Sequence, residues 1–262
     1  MITSVQNPLV KYIVKLTHKS SFRKKEKKFV VEGGLETERA LQGGFILEKV
    51  IVCPEIFNRK NWLETIPASK IVEVNRKVYA HLAYRGGTEG ILAVGLQKDF
   101  TLTNLSNEDT RFMLVAERIQ KPGNIGALLR TSDAAGTSAV IFISPGTDLY
   151  NPNVIRASLG TLFTQKIAVA SLEEFKQFKS EHSFRLYAAT LQNSNVYWKE
   201  QYTGNIAIAV GNEHDGLTGA FRQLSDLNVY IPMNGTADSL NLSVSAGIIL
   251  YEVLRQRSGN KS

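Results

Sequence analysis

Residues 112–143 read FMLVAERIQKPGNIGALLRTSDAAGTSAVIFI. The stretch opens on an apolar run, Phe112–Ala116, and passes through a proline and two glycines. It then takes a helical pattern over Ile125–Ala135 and returns to a second apolar run, Ala139–Ile143. A strand, a turn, a helix and a strand in this order make a βαβ unit. Strands without polar alternation belong to a parallel sheet covered on both faces. The alternation continues outward from this unit. Strands are expected at Lys166–Ala170, Arg185–Ala189, Asn205–Val210 and Asn228–Ile231, and helices at Val154–Leu162, Leu172–Lys179, Thr218–Leu224 and Leu240–Arg255. The fold class is therefore α/β, and in an open parallel sheet ligands bind beyond the carboxyl ends of the strands.

Toward the N-terminus, Gln97–Arg111 carries Asp, Asn, Thr and Ser with scattered apolar residues and reads as a linker. Before it, a helix is expected over Asn7–Thr17, with Pro8 in its first turn, where the missing N–H matters least. A second is expected over Glu36–Leu41, stopped by Gly43-Gly44, and short apolar runs follow at Lys49–Val52, Ile71–Val74 and Ile91–Leu96. The expected organisation is a smaller α/β domain at 1–96, a linker at 97–111 and the larger domain at 112–262. Residues from about 110 to 257 are expected to form an independent unit.

The single cysteine, Cys53, excludes a disulfide framework and leaves no thiol set for a metal, so no metal is expected. No apolar stretch approaches the ~20 residues of a membrane-spanning helix. Met1 leads into Thr3, Gln6 and Asn7 instead of an apolar leader, so a cytoplasmic protein away from membranes is expected. The formal net charge is +7, and residues 1–28 account for all of it: Lys11, Lys15, Lys19, Arg23, Lys24, Lys25, Lys27 and Lys28 stand against Glu26 alone. A local basic block is the footprint of a polyanion binder, and Lys11, Arg23, Lys24, Lys25, Lys27 and Lys28 are the candidate nucleic-acid contacts. On charge alone, a basic face that only aids solubility stays open.

Three segments concentrate the chemistry, each just after an expected strand: Lys121–Gly136, Gly211–Gly216 and Ile231–Ala246. Each also has a plain reading. Gly123 and Gly126 can simply make a tight turn, and Arg130 can pair with Asp133 on its own helix. Gly211 and Gly216 can be loop glycines, and Asp238 or Ser239 can be no more than the N-cap of the last helix. A dinucleotide-binding fingerprint fails, because its third glycine is missing and the strand Ala139–Ile143 ends in Ser144-Pro145 instead of an acidic residue.

Together, Asn124-Ile-Gly-Ala…Arg130, Gly211-x-Glu213-x-x-Gly216 and Ile231-Pro-Met-x-Gly…Ser239-Leu-Asn241 resemble, in order and spacing, the SpoU (TrmH-type) family of RNA 2′-O-ribose methyltransferases of the SPOUT superfamily. The resemblance runs from about Phe112 to Arg257. Ser132 and Ser245 stand where alanine is frequent in that family, and Leu242 where valine is. The N-terminal part is similar to the substrate-binding domain often attached to these enzymes, itself like kink-turn-binding ribosomal proteins. Ser4, Asn7-Pro8, Lys11, Leu16, Arg23 and Phe29-Val-Val-Glu32-Gly33 carry that likeness.

The resemblance implies a parallel α/β sheet with a C-terminal trefoil knot, preceded by a smaller α/β RNA-binding domain. It also implies S-adenosylmethionine as cofactor and a homodimer whose active site is completed across the interface. Gly211, Ile231, Leu240 and Thr190 would contact the cofactor. Arg130, Asn124, Glu213, Ser239 and Asn241 would form the catalytic set. A ribose 2′-hydroxyl is a poor nucleophile, so the site must orient it and assist loss of its proton. Arg130 would hold the adjacent phosphate and donate to the 2′-oxygen as negative charge develops. Its permanent protonation speaks against a role as general base. Glu213 would hold Arg130 and fix its rotamer. Ribosomal RNA is expected before tRNA as substrate. The alternative is a catalytically inactive RNA-binding or assembly protein that keeps the fold, and S-adenosylhomocysteine titration separates the two.

Overall fold

The computed structural model describes residues 1–84 and 89–259, so the last three residues of the expected 112–262 domain lie outside the described residues. The elements begin with α1 (Pro8–His18), α2 (Ser20–Glu26), β1 (Lys28–Glu32), α3 (Gly34–Gln42), β2 (Leu47–Val52), α4 (Lys60–Leu63), β3 (Ile71–Glu73), α5 (Arg76–Leu82) and β4 (Ile91–Leu96). Then come β5 (Phe112–Glu117), α6 (Pro122–Ala135), β6 (Ala139–Ile143), α7 (Pro152–Ala157), β7 (Ile167–Ala170), α8 (Leu172–Glu181) and β8 (Arg185–Ala189). The last are β9 (Asn195–Val196), β10 (Ile206–Val210), α9 (Gly219–Arg222), β11 (Leu227–Tyr230) and α10 (Leu242–Gly259). No helix among the described residues is long and apolar enough to cross a membrane.

The chain forms two compact units that divide between Asp99 and Phe100, inside the expected linker 97–111, but residues 148–164 of the expected larger domain group with the N-terminal unit. One comprises Met1–Asp99 together with Asp148–Thr164, the other Phe100–Thr147 together with Gln165–Ser262.

In the first unit the sheet runs β1-β4-β2-β3, with β4 antiparallel to both neighbours and β2 parallel to β3. Helix α1 starts where Asn7 Oδ1 accepts from Leu9 N at 2.9 Å, with Pro8 in its first turn. It buries Val10, Ile13 and Leu16 against Val30, Ile51 and Val78. Two elements here are silent in the sequence pattern. α2 has no apolar period, and the short β1 is flanked by the lysines that end α2.

The same region corrects the candidate RNA contact Arg23. Its side chain is 2% exposed. Nε donates to Asp148 Oδ2 at 2.7 Å, and Nη1 donates to the carbonyls of Leu16 and Thr17 at 2.7 and 3.0 Å. These carbonyls belong to the last turn of α1, which has no helical partners of its own to offer them. A guanidinium supplies several donors in a fixed fork, so Arg23 closes a helix end and anchors Asp148, and none of it is left for phosphate.

The segment 148–164 is the apolar complement of this unit. Leu149, Tyr150, Val154, Ile155, Leu162 and Phe163 are all buried. The Phe29 ring lies 5.4 Å from that of Tyr150 and 5.0 Å from that of Phe163. The Tyr150 hydroxyl donates to Lys98 O and accepts from Lys98 N, both at 2.9 Å. The helix expected at Val154–Leu162 is cut short at Ala157, because Leu159 (φ 52°) and Gly160 (φ 80°) turn left-handed.

The second unit is a seven-stranded sheet in the order β7-β6-β5-β10-β8-β11-β9, every pairing parallel. The full burial of β5, β6 and β10 explains their unbroken apolar runs. α6 begins with Pro122 and ends at Gly136 in the left-handed conformation (φ 70°). Since all strands run one way, all carboxyl ends share one edge, and the loops leaving β8, β10 and β11 meet there.

Candidate active site

A cleft of about 610 Å³ opens at that edge. Gly211, Ile231, Leu240 and Thr190, expected at the cofactor, line it, and so do Asn124, Glu213, Ser239 and Asn241 of the expected catalytic set. Arg130 does not. It is exposed on α6, and among the described residues its side chain makes no hydrogen bond and no ion pair, with Asp133 or any other group.

The loop after β10 is built to a tight tolerance. Asn212 and Gly216 exchange backbone hydrogen bonds, each 3.0 Å, and Gly216 is left-handed (φ +66°). This fold-back brings the chain so near Gly211 that a Cβ there would lie 2.1 Å from Gly216 C and 2.2 Å from Leu217 N. Only glycine fits at Gly211, for reasons of space and not of φ. Two side chains missing from the expected set hold the loop. Glu117, 2% exposed at the end of β5, accepts from Thr218 N and from Thr218 Oγ1, both at 2.7 Å. Asn212, also buried, donates from Nδ2 to Arg118 O at 3.0 Å and accepts at Oδ1 from His214 N at 2.9 Å. An acidic residue ending a wholly apolar strand, next to a glycine motif, was the available signal for Glu117.

The three motifs meet in one chain of amides. Asn241 Nδ2 donates to Asn124 Oδ1 at 3.4 Å, and Asn124 Nδ2 donates to Glu213 Oε1. Asn241 Oδ1 accepts from Ser243 N at 2.9 Å and from Ser243 Oγ at 2.6 Å. Asn241, not Asp238 or Ser239, thereby caps the start of α10. Each amide uses its oxygen as acceptor and its nitrogen as donor, which fixes both orientations. Glu213 is thus engaged with Asn124, and the expected Glu213–Arg130 contact is not formed.

The lining is chemically mixed. Leu191, Val210, Leu217, Leu242 and Ile249 give apolar wall, while Glu213, Asp215 and Asp238 bring carboxylates. Apolar wall for a flat base, and carboxylates for a sulfonium cation, fit S-adenosylmethionine. Lys121, Gln192, Tyr230 and Met233 also line the cleft and lay outside the expected set; Lys121 and Met233 fall within the quoted segments, while only a place beside a strand end marks Gln192 and Tyr230.

In the first unit the basic block divides. Lys11, Lys24, Lys25 and Lys27 are exposed. Lys28 is half-buried, bonded to Glu48 at 2.6 Å and lying over the Tyr12 ring. The hydrogen bond to Glu48 holds its pKa above the ordinary amine value.

The sequence matches the SpoU rRNA Methylase family over residues 111–251 and an MRM3-like substrate binding domain over residues 7–93. The Bacillus subtilis protein named 23S rRNA (guanosine(2553)-2′-O)-methyltransferase RlmP is 28% identical over 96% of this chain and 98% of its own length. A solved structure described as an RNA 2′-O ribose methyltransferase is 38% identical, with a TM-score of 0.86 over 98% of this chain and 99% of its own. The AdoMet-bound rRNA methyltransferase from Sinorhizobium meliloti is 29% identical, with a TM-score of 0.88 over 97% of each chain. A family match across more than half of the sequence, with the three motifs gathered on one cleft, shows that this chain belongs to the SpoU rRNA methylase family.

Proposed function

We propose that this chain transfers the methyl group of S-adenosylmethionine to a ribose 2′-hydroxyl of ribosomal RNA. The observation that carries the reading is the Asn241–Asn124–Glu213 chain, which joins three distant motifs at the mouth of one cleft. A protein that only bound RNA would have no use for it. Bound in the cleft, S-adenosylmethionine supplies an electrophilic methyl group. Gly211, Ile231, Leu240 and Thr190 contact the cofactor, while Asn124, Glu213, Ser239 and Asn241 orient the ribose against it. Arg130, with its donors free, grips the neighbouring phosphate and stabilises the 2′-oxygen as its proton passes to solvent water; the O–CH3 bond would form as the S–CH3 bond breaks and S-adenosylhomocysteine leaves.

The exposure of Arg130 outside the cleft favours a homodimer in which a second copy helps complete the site. α10 supports this by exposing Val244 and Tyr251, with Ile248 between them, at spacings that share one helix face. A C-terminal trefoil knot is supported by the strand order, in which β10 enters between β5 and β8, and β11 between β8 and β9. Residues 1–96 serve as the RNA-binding part. Incubation with labelled S-adenosylmethionine and ribosomal RNA from cells lacking the gene should place label on a ribose 2′-oxygen. Cofactor binding with no transfer to any ribosomal RNA would favour the inactive alternative.

The basic block gives a second test. Lys24, Lys25 and Lys27 changed together to alanine should weaken RNA binding and flatten the plot of log affinity against log salt by up to about 2–3 units of slope. Arg23→Ala should instead lower thermal stability, because it strips the Asp148 and α1 contacts. An unchanged slope in the triple variant would remove the block from the RNA interface.

A further inference from the structure

A separate cavity of about 120 Å³ lies wholly within the first unit and has no part in the methyl-transfer reading. The end of β1, the start of α3, the end of α5, the start of α7 and β4 supply its walls. Val30, Leu82, Leu92 and Ile155, all buried, make it apolar on one side. Glu32, Glu36 and Glu89 bring three carboxylates to it, against the single guanidinium of Arg156 at its exposed rim.

The three carboxylates are not equivalent. Glu32 Oε2 accepts from Tyr84 N at 2.9 Å, and Glu89 Oε2 accepts from Gly34 N at 2.6 Å. Glu36 is only 7% exposed, yet it accepts from nothing but its own backbone N–H, and no other described residue bonds to it or pairs with it. Burial first, and then repulsion from Glu89, push its pKa up against the pull of Arg39 and Arg156. Arg39 is already committed, since its Nη1 donates to Leu159 O at 2.5 Å. The backbone is shaped to keep Glu36 where it is. Gly33 sits at φ 107°, and a Cβ there would collide with Glu36 Oε2, so glycine is required both by conformation and by space. Burying a carboxylate without a partner is costly, and folded chains ordinarily pair such a group. Here it faces open volume instead.

We propose that this cavity binds an alkylammonium or alkylguanidinium group, with the charged head at Glu36 and the stem against Val30, Leu82, Leu92 and Ile155. A cation with N–H donors compensates the buried charge and satisfies its lone pairs together. Tyr84, which also lines the cavity, offers a ring for the same cation. A phosphate would meet three carboxylates, and a wholly apolar molecule would leave Glu36 as costly as before. No group of three His, Cys, Asp or Glu side chains among the described residues is placed to hold a metal ion. At roughly 30 Å³ for each water displaced, the cavity holds the equivalent of about four waters, room for a charged head on a short stem. A free polyamine and the tip of a partner's basic side chain present the same chemistry.

Calorimetric titration of the full chain at constant ionic strength should show putrescine, n-butylguanidinium or doubly blocked arginine binding with a Kd of roughly 1 mM or tighter. n-Butanol, which has the stem without the charge, should not bind. Glu36→Gln keeps the shape and removes the charge, and should weaken cation binding by at least about 30-fold. The free Glu36→Gln chain should melt no lower than its parent, because it loses an uncompensated charge and no partner. Arg156→Ala, at the exposed rim, should tighten cation binding by about two- to fivefold. Putrescine binding more tightly than blocked arginine would assign the site to a free polyamine, and the reverse order to a side chain of a partner; both bear the proposal out. Binding of these cations no better than sodium, binding undiminished by Glu36→Gln, or a lower melting temperature of the free Glu36→Gln chain would each overturn it.

Discussion

Replacing Arg130 by alanine should lower methyl transfer by about 10²–10³-fold, the loss expected when a charged donor to a developing oxyanion is removed. S-adenosylhomocysteine affinity should stay within about twofold, because Arg130 does not line the cleft. Thermal stability should also hold. The side chain is exposed, and among the described residues it has no partner whose loss could matter. This separation of chemistry from binding and folding is sharper than the motif alone allowed, since an ion pair with Asp133 was a live reading and is not formed. Arg130→Lys should recover only part of the rate, as a point charge cannot make the paired contacts of a planar fork. Near-normal turnover in Arg130→Ala would move the chemistry to Glu213 and Asn124.

A chain beginning at residue 100 should fail to give a soluble cofactor-binding protein. The sequence reading expects the opposite, an independent unit from about residue 110. The difference lies in residues 148–164, which belong to the compact unit of residues 1–99. Without those residues Leu149, Tyr150, Val154, Ile155, Leu162 and Phe163 lose the surroundings that bury them. At roughly 1.5–3 kcal/mol for each buried side chain, the loss is on the order of 10 kcal/mol. A typical domain's whole stability is only about 5–15 kcal/mol. The shortened chain should aggregate or bind a hydrophobic dye such as ANS. Exchanging Tyr150, Ile155 and Phe163 for serine in the shortened chain should restore solubility. A chain from residue 100 that stays soluble unaltered, melts in one cooperative step and binds S-adenosylhomocysteine like the parent would contradict this account.

Much of the second unit could be read from periodicity, because buried parallel strands are written as unbroken apolar runs. Phe112–Ala116 and Ala139–Ile143 needed no other signal. β9 could not be read, since two residues carry no period, nor could α2, whose one buried anchor is an arginine. The cleft residues were legible through their resemblance to a family: eight of the nine expected cofactor and catalytic residues line it, and Arg130 does not. Glu117 and Asn212 were hidden because their roles are set by backbone groups of a loop that comes close only after folding. Arg23 misled for a related reason. A charge count cannot tell a solvated guanidinium from one spent on helix carbonyls.

The central place of β10 has a consequence in time. β5 pairs with β10 along one side, and β10 follows it by nearly a hundred residues of chain. At the usual pace of synthesis, about 5–20 residues per second, the edge of β5 waits roughly 5–20 s on the ribosome for its neighbour. Ala116 and Glu117 end that edge, and the loop that Glu117 is to clamp has not yet been made. The nascent chain thus carries an apolar strand open along one edge, and no competent site until the first turns of α10 have been made. Cells that overproduce this protein, or make it faster than helper chaperones can shield it, should collect it as inclusion bodies before they collect activity.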